Sequence, residues 1–294
     1  MAGNIEHSGD ALSPEATRQL TGLLAGSPRR LSRSVVDGRT VWIKRFDTEA
    51  RPLPKRLHAL VSSLLPGFLR ASPNVDAEGQ ALREMRKAAQ FAAAGFPVPS
   101  ILWRGGAVLA LAEVGEIVEP LLARLSAEDA AHHDALLVEM AAALGRAHGA
   151  GLCHGRPHPR DMFRRADGAW GFLDFEEEPE AAMPLAAAQA RDVWLLFMQI
   201  AARTADEAAK ARAFVAWRAG APAAVLPELR KVIAVFSPLL PALRLLKPIG
   251  LGKDGRRLLD ALLFLRFALG ADLQHASPAP GAGTTKPDRI ETPT

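Results

Sequence analysis

Side chains of four chemical kinds stand out along the chain, each set in a distinct local pattern. Val41-Trp42-Ile43-Lys44 ends in an ammonium, a compact point charge suited to phosphate oxygens. Glu84 follows within a run of helical spacing. The segment His154-Gly155-Arg156-Pro157-His158-Pro159-Arg160-Asp161 gathers imidazoles, guanidiniums and a carboxylate. Leu173-Asp174-Phe175-Glu176 sets a carboxylate between apolar neighbours, where it needs a partner. Asp161 and Asp174 are oxygen donors of the kind a hard cation such as Mg²⁺ takes. His154 and His158 are candidate bases, because imidazole titrates near neutrality.

These residues need elements to bring them together. Ser32 to Val36 and Arg39 to Phe46 read as strands joined by Asp37-Gly38, a strong short hairpin signal. Trp42 lies two residues before Lys44 and so shares its strand face. Asp76 to Ala94 reads as a helix, with Leu82, Met85, Ala89 and Ala93 at spacings of three or four. Gly95, Pro97 and Pro99 end it. Ile101 to Trp103 and Ala107 to Val114 form a second hairpin around Gly105-Gly106. Ser126 and Asp129 start a long helix running to Ala150, and His132-His133 in its polar beginning is expected to face solvent. Met162 to Arg165 and Trp170 to Phe175 are short extended pieces around Asp167-Gly168. From Pro184 to Asp272 the pattern is helical, interrupted by prolines, with Leu245, Leu246, Leu258, Leu259, Leu262, Leu263 and Phe267 expected in the core.

The resulting expectation is an α+β chain: a flexible start (1–12), a small antiparallel-sheet lobe with one long helix (13–115), a linker near Val114 to Glu119, a larger mostly helical lobe (116–274), and a disordered tail (275–294) rich in Pro, Gly and Thr. With 294 residues, 49% hydrophobic and 23% charged, the chain can bury a full core, which excludes a mostly disordered protein. The single cysteine, Cys153, excludes an internal disulfide and suits a reducing cytoplasm. Met1 to Asp10 lacks a basic start followed by an apolar run, so no secretory signal is expected. No run approaches about 18 uninterrupted apolar residues, so no membrane-spanning helix is expected either. A net charge of +4, spread over scattered clusters such as Arg29, Arg30 and Arg33, ranks nucleic acid last among partners.

A strand lysine, a helix glutamate, a histidine loop and a D-F turn, in that order, resemble the protein-kinase-like superfamily. The chain is most similar to the bacterial lipopolysaccharide core (heptose and Kdo) kinases. Arg83-Glu84 followed by Gly95-Phe96-Pro97-Val98-Pro99 resembles their helix ending in G-x-P-x-P. His154-Gly155 resembles the H-G-D catalytic loop, and Asp174-Phe175-Glu176 the D-F-E metal turn. Asp192-Val193-Trp194 resembles the buried aspartate that props the catalytic loop. The resemblance implies a bilobal fold and a phosphotransferase using ATP and Mg²⁺. Lys44 would hold the α/β phosphates and pair with Glu84, Asp174 and Asp161 would bind metal, and Trp42 would lie beside the base. It also implies a cytoplasmic protein, at the inner face of the membrane if its acceptor is a lipid-linked sugar.

Two departures accompany it. Arg156 stands where the catalytic aspartate is expected, and a guanidinium accepts no proton at working pH. It could instead hold the γ-phosphate, with His154 or His158 as base. Gly22, Gly26 and Gly38 make no glycine-rich loop before Lys44. Both departures keep a second reading open: a pseudokinase that binds nucleotide or serves as a scaffold. Glu78 rivals Glu84 as partner of Lys44, and Asp161 could simply cap a turn. Cys153, His154 and His158 are a poor zinc set, since adjacent ligands rarely close a tetrahedron. The basic, amphipathic insert 51–70, with Arg51, Lys55 and Arg56 before Leu57 to Leu69, is read either as a helical insert or as a membrane-surface segment.

Overall fold

The computed structural model describes residues 12–26, 29–48, 70 and 72–276. The insert 51–69, residues 1–11 and the tail from 277 lie outside the described residues, as do the expectations placed on them.

The chain is α+β. Helix α1 (Pro14–Gly26) precedes strands β1 (Leu31–Val36) and β2 (Arg39–Arg45). Asp37 and Gly38 both take positive φ, 52° and 69°, as the tight primed hairpin turn requires. Helix α2 (Ala77–Ala93) follows, then β3 (Ile101–Gly105) and β4 (Val108–Ala112), giving an antiparallel sheet in the order β1-β2-β4-β3. Asp76 caps α2 by accepting the Gly79 N–H at 2.8 Å. At its other end Gly95 (φ 84°) closes a Schellman turn: Phe96 N donates to Phe91 O and Gly95 N to Ala92 O.

Alternation along β2 sorts the sheet into two faces. Val41 and Ile43, with Val36, Val108, Ala110 and Leu102, pack on Ala16 and Leu20 of α1. Leu109, Phe46 and Met85 pack with Ala81 of α2 on the other. Lys44 is paired in register with Leu109, so it points to the α2 side. α1 was not foreseen in the sequence; its apolar stripe is short and shows its purpose only against the sheet.

Beyond the sheet, β5 (Glu116–Ile117) pairs with β6 (Met162–Arg164), and β6 with β7 (Trp170–Phe172). Helices α3 (Val118–Glu128), α4 (Ala130–Gly149), α5 (Leu185–Ile200), α6 (Glu207–Gly220), α7 (Val225–Phe236), α8 (Leu240–Gly250) and α9 (Lys253–Ala276) supply the main core. The stretch expected as a linker is thus β5 and the start of α3. The helix expected from Ser126 is two helices, and Asp129 caps the second by accepting the His132 N–H at 3.0 Å.

Two further expectations are corrected. His133 is buried, with Nδ1 3.0 Å from Asp134, which in turn accepts the Ala205 and Asp206 N–H groups. Leu245 and Phe267 are 73% and 75% exposed, so they are surface rather than core. Val225–Gly250 is long and apolar enough to cross a membrane, with a window of mean hydropathy 1.6 of which 17% is buried. Glu228, Arg230, Lys231, Arg244 and Lys247 punctuate it, so it holds no uninterrupted apolar run of that length.

Candidate functional site

The tertiary fold brings β2, α2 and the segment after β7 to one point. Lys44 Nζ lies 2.6 Å from Glu84 Oε2, 2.6 Å from Asp174 Oδ1 and 2.9 Å from Glu176 Oε1. Glu84, not Glu78, is the partner; Glu78 pairs with Arg104 at the surface. Burial alone would lower the lysine, but the surrounding carboxylates raise it above its ordinary value. Burial likewise opposes ionisation of Asp174, yet Lys44 and Arg156 hold it well below the usual carboxylate range. Glu84 is the group that yields: burial lifts it to about 7 against the pull of Lys44.

Asp174 has φ 66°, a conformation that costs a non-glycine residue about 1–3 kcal/mol and persists where the surroundings impose it. Here the Leu173 N–H donates to Asp161 O at 3.0 Å, and Phe175 packs on Phe91 with ring centroids 4.7 Å apart. Phe91 also meets Phe172 at 5.1 Å and His154 at 6.3 Å. It is two turns beyond Glu84 on the same side of α2, so one helix face carries both the charge and its apolar support. Sequence reading passed over Phe91, although its spacing of seven residues from Glu84 was a usable signal.

A row of charges on α2 also grips the segment after Asp174. Arg83 donates to Glu176 O at 3.1 Å, Lys87 to Glu177 O at 2.8 Å, and Lys87 pairs with Glu180 at 2.7 Å. Arg86 pairs with Glu178, and Arg30 with Glu176. Arg83 and Lys87 are both buried.

The loop after α4 is organised by Asp192 of α5, which is fully buried. Its carboxylate accepts the His154 N–H at 2.7 Å and the Gly155 N–H at 2.9 Å. Trp217 Nε1–H donates to His148 Nδ1 at 3.2 Å, which leaves the proton on Nε2 to face Asp192 at 3.4 Å. Burial would raise Asp192, but these donors hold it below its ordinary value. Gly155 is required: its φ is 101°, and a Cβ there would lie 2.7 Å from Glu177 O.

His154 faces the same crowded interior and is a support rather than a free base. Its Nε2 donates to Leu173 O at 3.0 Å, its Nδ1 accepts from Arg156 N, and burial pushes it down to about 4. His158 lies apart from the lysine cluster. Its Nδ1 accepts the Arg160 N–H at 3.2 Å and sits 3.7 Å from Glu119, and burial pushes it down to about 4. Arg156 reaches the cluster: its Nη2 is 3.3 Å from Asp174 Oδ2.

Asp161 sits in the short 3₁₀ turn Pro159–Asp161, with Oδ2 buried and without a hydrogen-bond partner. Burial first, then the charge of Asp174, pushes it up to about 7. An orphaned buried carboxylate oxygen beside a second carboxylate fits a hard divalent cation, which would supply the missing charge. Glu84, Asp174 and Glu176 also lie within 4.8 Å of one another, but Lys44 already occupies their centre. Asp161 Oδ2 is thus the open carboxylate oxygen beside Asp174.

Trp42 is half-buried and lines an open pocket of about 320 Å³ with Arg29, Leu31, Arg33 and Ser34 on the β1 edge. Between Glu84, Asp174 and Leu111 the remaining space is only about 10 Å³.

No protein-family model matches the chain, and no curated protein does. Among solved structures the chain is similar to Rv3197 from Mycobacterium tuberculosis, determined in complex with erythromycin, at 20% identity and a TM-score of 0.31. The match covers 50% of this chain and 42% of that one, so it spans less than half of the other protein's length.

Proposed function

We propose that the chain is a bilobal, protein-kinase-like phosphotransferase that moves the γ-phosphoryl group of Mg-ATP to a hydroxyl, on a lipopolysaccharide core sugar or another small acceptor. The observation that carries this reading is the convergence of Lys44, Glu84 and Asp174, far apart in the chain, within 2.6 Å contacts, beside Asp161, whose Oδ2 has no hydrogen-bond partner. In this reading Glu84 fixes the Lys44 ammonium for the α/β phosphates, and Asp161 and Asp174 hold Mg²⁺. When bound, that ion neutralises charge developing on the phosphates. Asp192 holds the loop that faces them through His154 N and Gly155 N. Arg156 is placed for the γ-phosphate. Positioning and charge neutralisation dominate this chemistry, whereas general-base help contributes typically 10²–10⁴-fold. The protein then acts in the cytoplasm, at the inner membrane face when its acceptor is lipid-linked, with no nucleic-acid partner.

The test is transfer of label from γ-labelled ATP in the presence of Mg²⁺, to water or to a core-sugar acceptor. Turnover that survives both Lys44→Ala and Asp174→Ala would sink the assignment.

One observation favours a second reading. Arg156 already neutralises Asp174 from the side opposite the Lys44 contact on the carboxylate. That arrangement suits a pseudokinase that binds nucleotide, or scaffolds a partner, without transfer. Stabilisation by Mg-ATP in a melting experiment with no turnover supports it. Activity gained by Arg156→Asp would place the difference between the two readings on that single residue.

A further inference from the structure

Helix α8 (Leu240–Gly250) presents a surface that the site chemistry does not use. Leu240 at its start is 3% exposed and anchors it to the core. Past that point Leu243 still packs on the core, but three apolar residues point outward: Leu245, Leu246 and Ile249 are 73%, 47% and 79% exposed. Ile249 stands four residues from Leu245 and three from Leu246, so the three share one side. Exposed leucine and isoleucine at this density carry a meaning that scattered surface leucines do not.

The charges around this face have one sign. Arg244, Lys247, Lys253, Arg256 and Arg257 lie between residues 240 and 257, against Asp254 alone, and Asp254 is paired with Arg257 at 3.4 Å. Arg244, Lys247, Lys253 and Arg256 are all exposed. A short helix with protruding apolar side chains and flanking cations is complementary to an anionic lipid surface, where the apolar residues enter the acyl boundary and the cations meet headgroups.

The apolar run Val225–Gly250 is long enough to span a bilayer, but the fold rules that use out. Its first part, α7, buries Val225, Leu229, Val232 and Ile233, and Phe236 stacks on Trp194 with ring centroids 4.8 Å apart. Inserting it would dismantle the core. α8 is therefore not part of a membrane-spanning segment.

We propose that the Leu245, Leu246 and Ile249 face of α8, with its basic surround, is a docking surface for an anionic membrane. The inference rests on the surface itself and does not depend on phosphotransfer. It adds to the proposed function a defined contact with the membrane that a lipid-linked acceptor occupies.

The experiment is flotation of the full chain with phosphatidylcholine vesicles, with and without about a third phosphatidylglycerol, at 0.1 M salt. The wild type is expected to float with the anionic vesicles and to remain with the bulk protein when they are neutral. Leu245→Glu with Ile249→Glu should lower the bound fraction about tenfold or more, and Arg244→Glu about fivefold, from the loss of apolar insertion and of one headgroup contact. Leu245→Ser with Ile249→Ser should weaken binding in the same direction. All keep the wild-type melting temperature, because the substituted side chains are exposed. Three results overturn the proposal. One is the absence of binding to anionic vesicles. Another is binding abolished by reversing Arg51, Lys55 and Arg56 yet indifferent to the α8 variants. The third is a dimer in light scattering that the α8 variants dissolve while vesicles stay unbound, which assigns the face to a second copy. Failure of Mg-ATP binding leaves this result standing, and the converse holds.

Discussion

Arg156 Nη2 lies 3.3 Å from Asp174 Oδ2, while Lys44 Nζ holds Oδ1 of the same carboxylate at 2.6 Å. Asp174 is thus shared by two cations before any metal is considered. The two contacts differ in kind. Lys44 is 9% exposed and surrounded by three acids, whereas Arg156 is 40% exposed and can swing into solvent. An incoming divalent ion would therefore displace the arginine and leave the lysine.

Arg156→Ala accordingly changes stability little, within about 1 kcal/mol, as for exposed ion pairs. It should raise the affinity for Mg²⁺ alone, because a competing cation leaves Asp174. If Arg156 also holds the γ-phosphate, the thermal shift by Mg-ATP falls in the same variant. Calorimetric titration with Mg²⁺ checks the first part; an unchanged or weaker affinity would show that Asp174 is not the metal ligand.

Lys44→Ala leaves Glu84 and Asp174 enclosed without their cation, a change that costs about 3–5 kcal/mol in comparable buried pairs. The sign of its pH dependence follows. Without Lys44, burial raises both folded-state carboxylate pKa values above their unfolded values, so the variant loses stability as pH rises through that window. Urea melts at pH 5 and pH 8 should show the larger deficit at pH 8. An equal deficit would mean that the pair contributes through packing alone.

Asp161 gives the opposite kind of substitution. Its folded-state value of about 7 exceeds the ordinary 3.8, so the wild type loses stability as pH climbs from about 4 to about 7, and the loss levels off above that. Asp161→Asn removes this cost and should raise the melting temperature at pH 8, with a gain of up to about 4 kcal/mol that fades toward pH 5. The same variant should lose Mg²⁺ affinity, and in the wild type that affinity should rise between pH 6 and pH 8 as the carboxyl ionises. A variant less stable at pH 8 than the wild type would refute this account of Asp161.

Asp192→Ala strips two backbone N–H groups and the His148 ring of their acceptor. The expected loss is about 3–5 kcal/mol in urea melts, in line with removing one member of a buried charged network. Asp192→Asn, which keeps an acceptor oxygen, should cost less. Equal losses would show that the carboxylate's charge carries nothing.

The local rules were enough for much of this. Asp37-Gly38 specified its hairpin because both positions need positive φ, and Gly95 with Pro97 closed α2 because the chain there must leave the helix. The apolar flanks of Asp174 marked it as a charge in need of a partner, while Lys44, Glu84, Asp161 and Asp192 were singled out by their resemblance to the kinase-like pattern. What the linear chain leaves open is which charges meet. Arg83 and Lys87 look like solvated helix residues until the 176–180 segment folds against them. His154 looks like a base until Leu173 O and Arg156 N occupy its ring. Leu245 and Phe267 look like core until their helices turn them outward. Periodicity reports that one side of an element is apolar, and composition reports that a charge needs a partner. Neither names the neighbour, because that depends on contacts between segments more than a hundred residues apart, such as Lys44 with Asp174 across 130 positions.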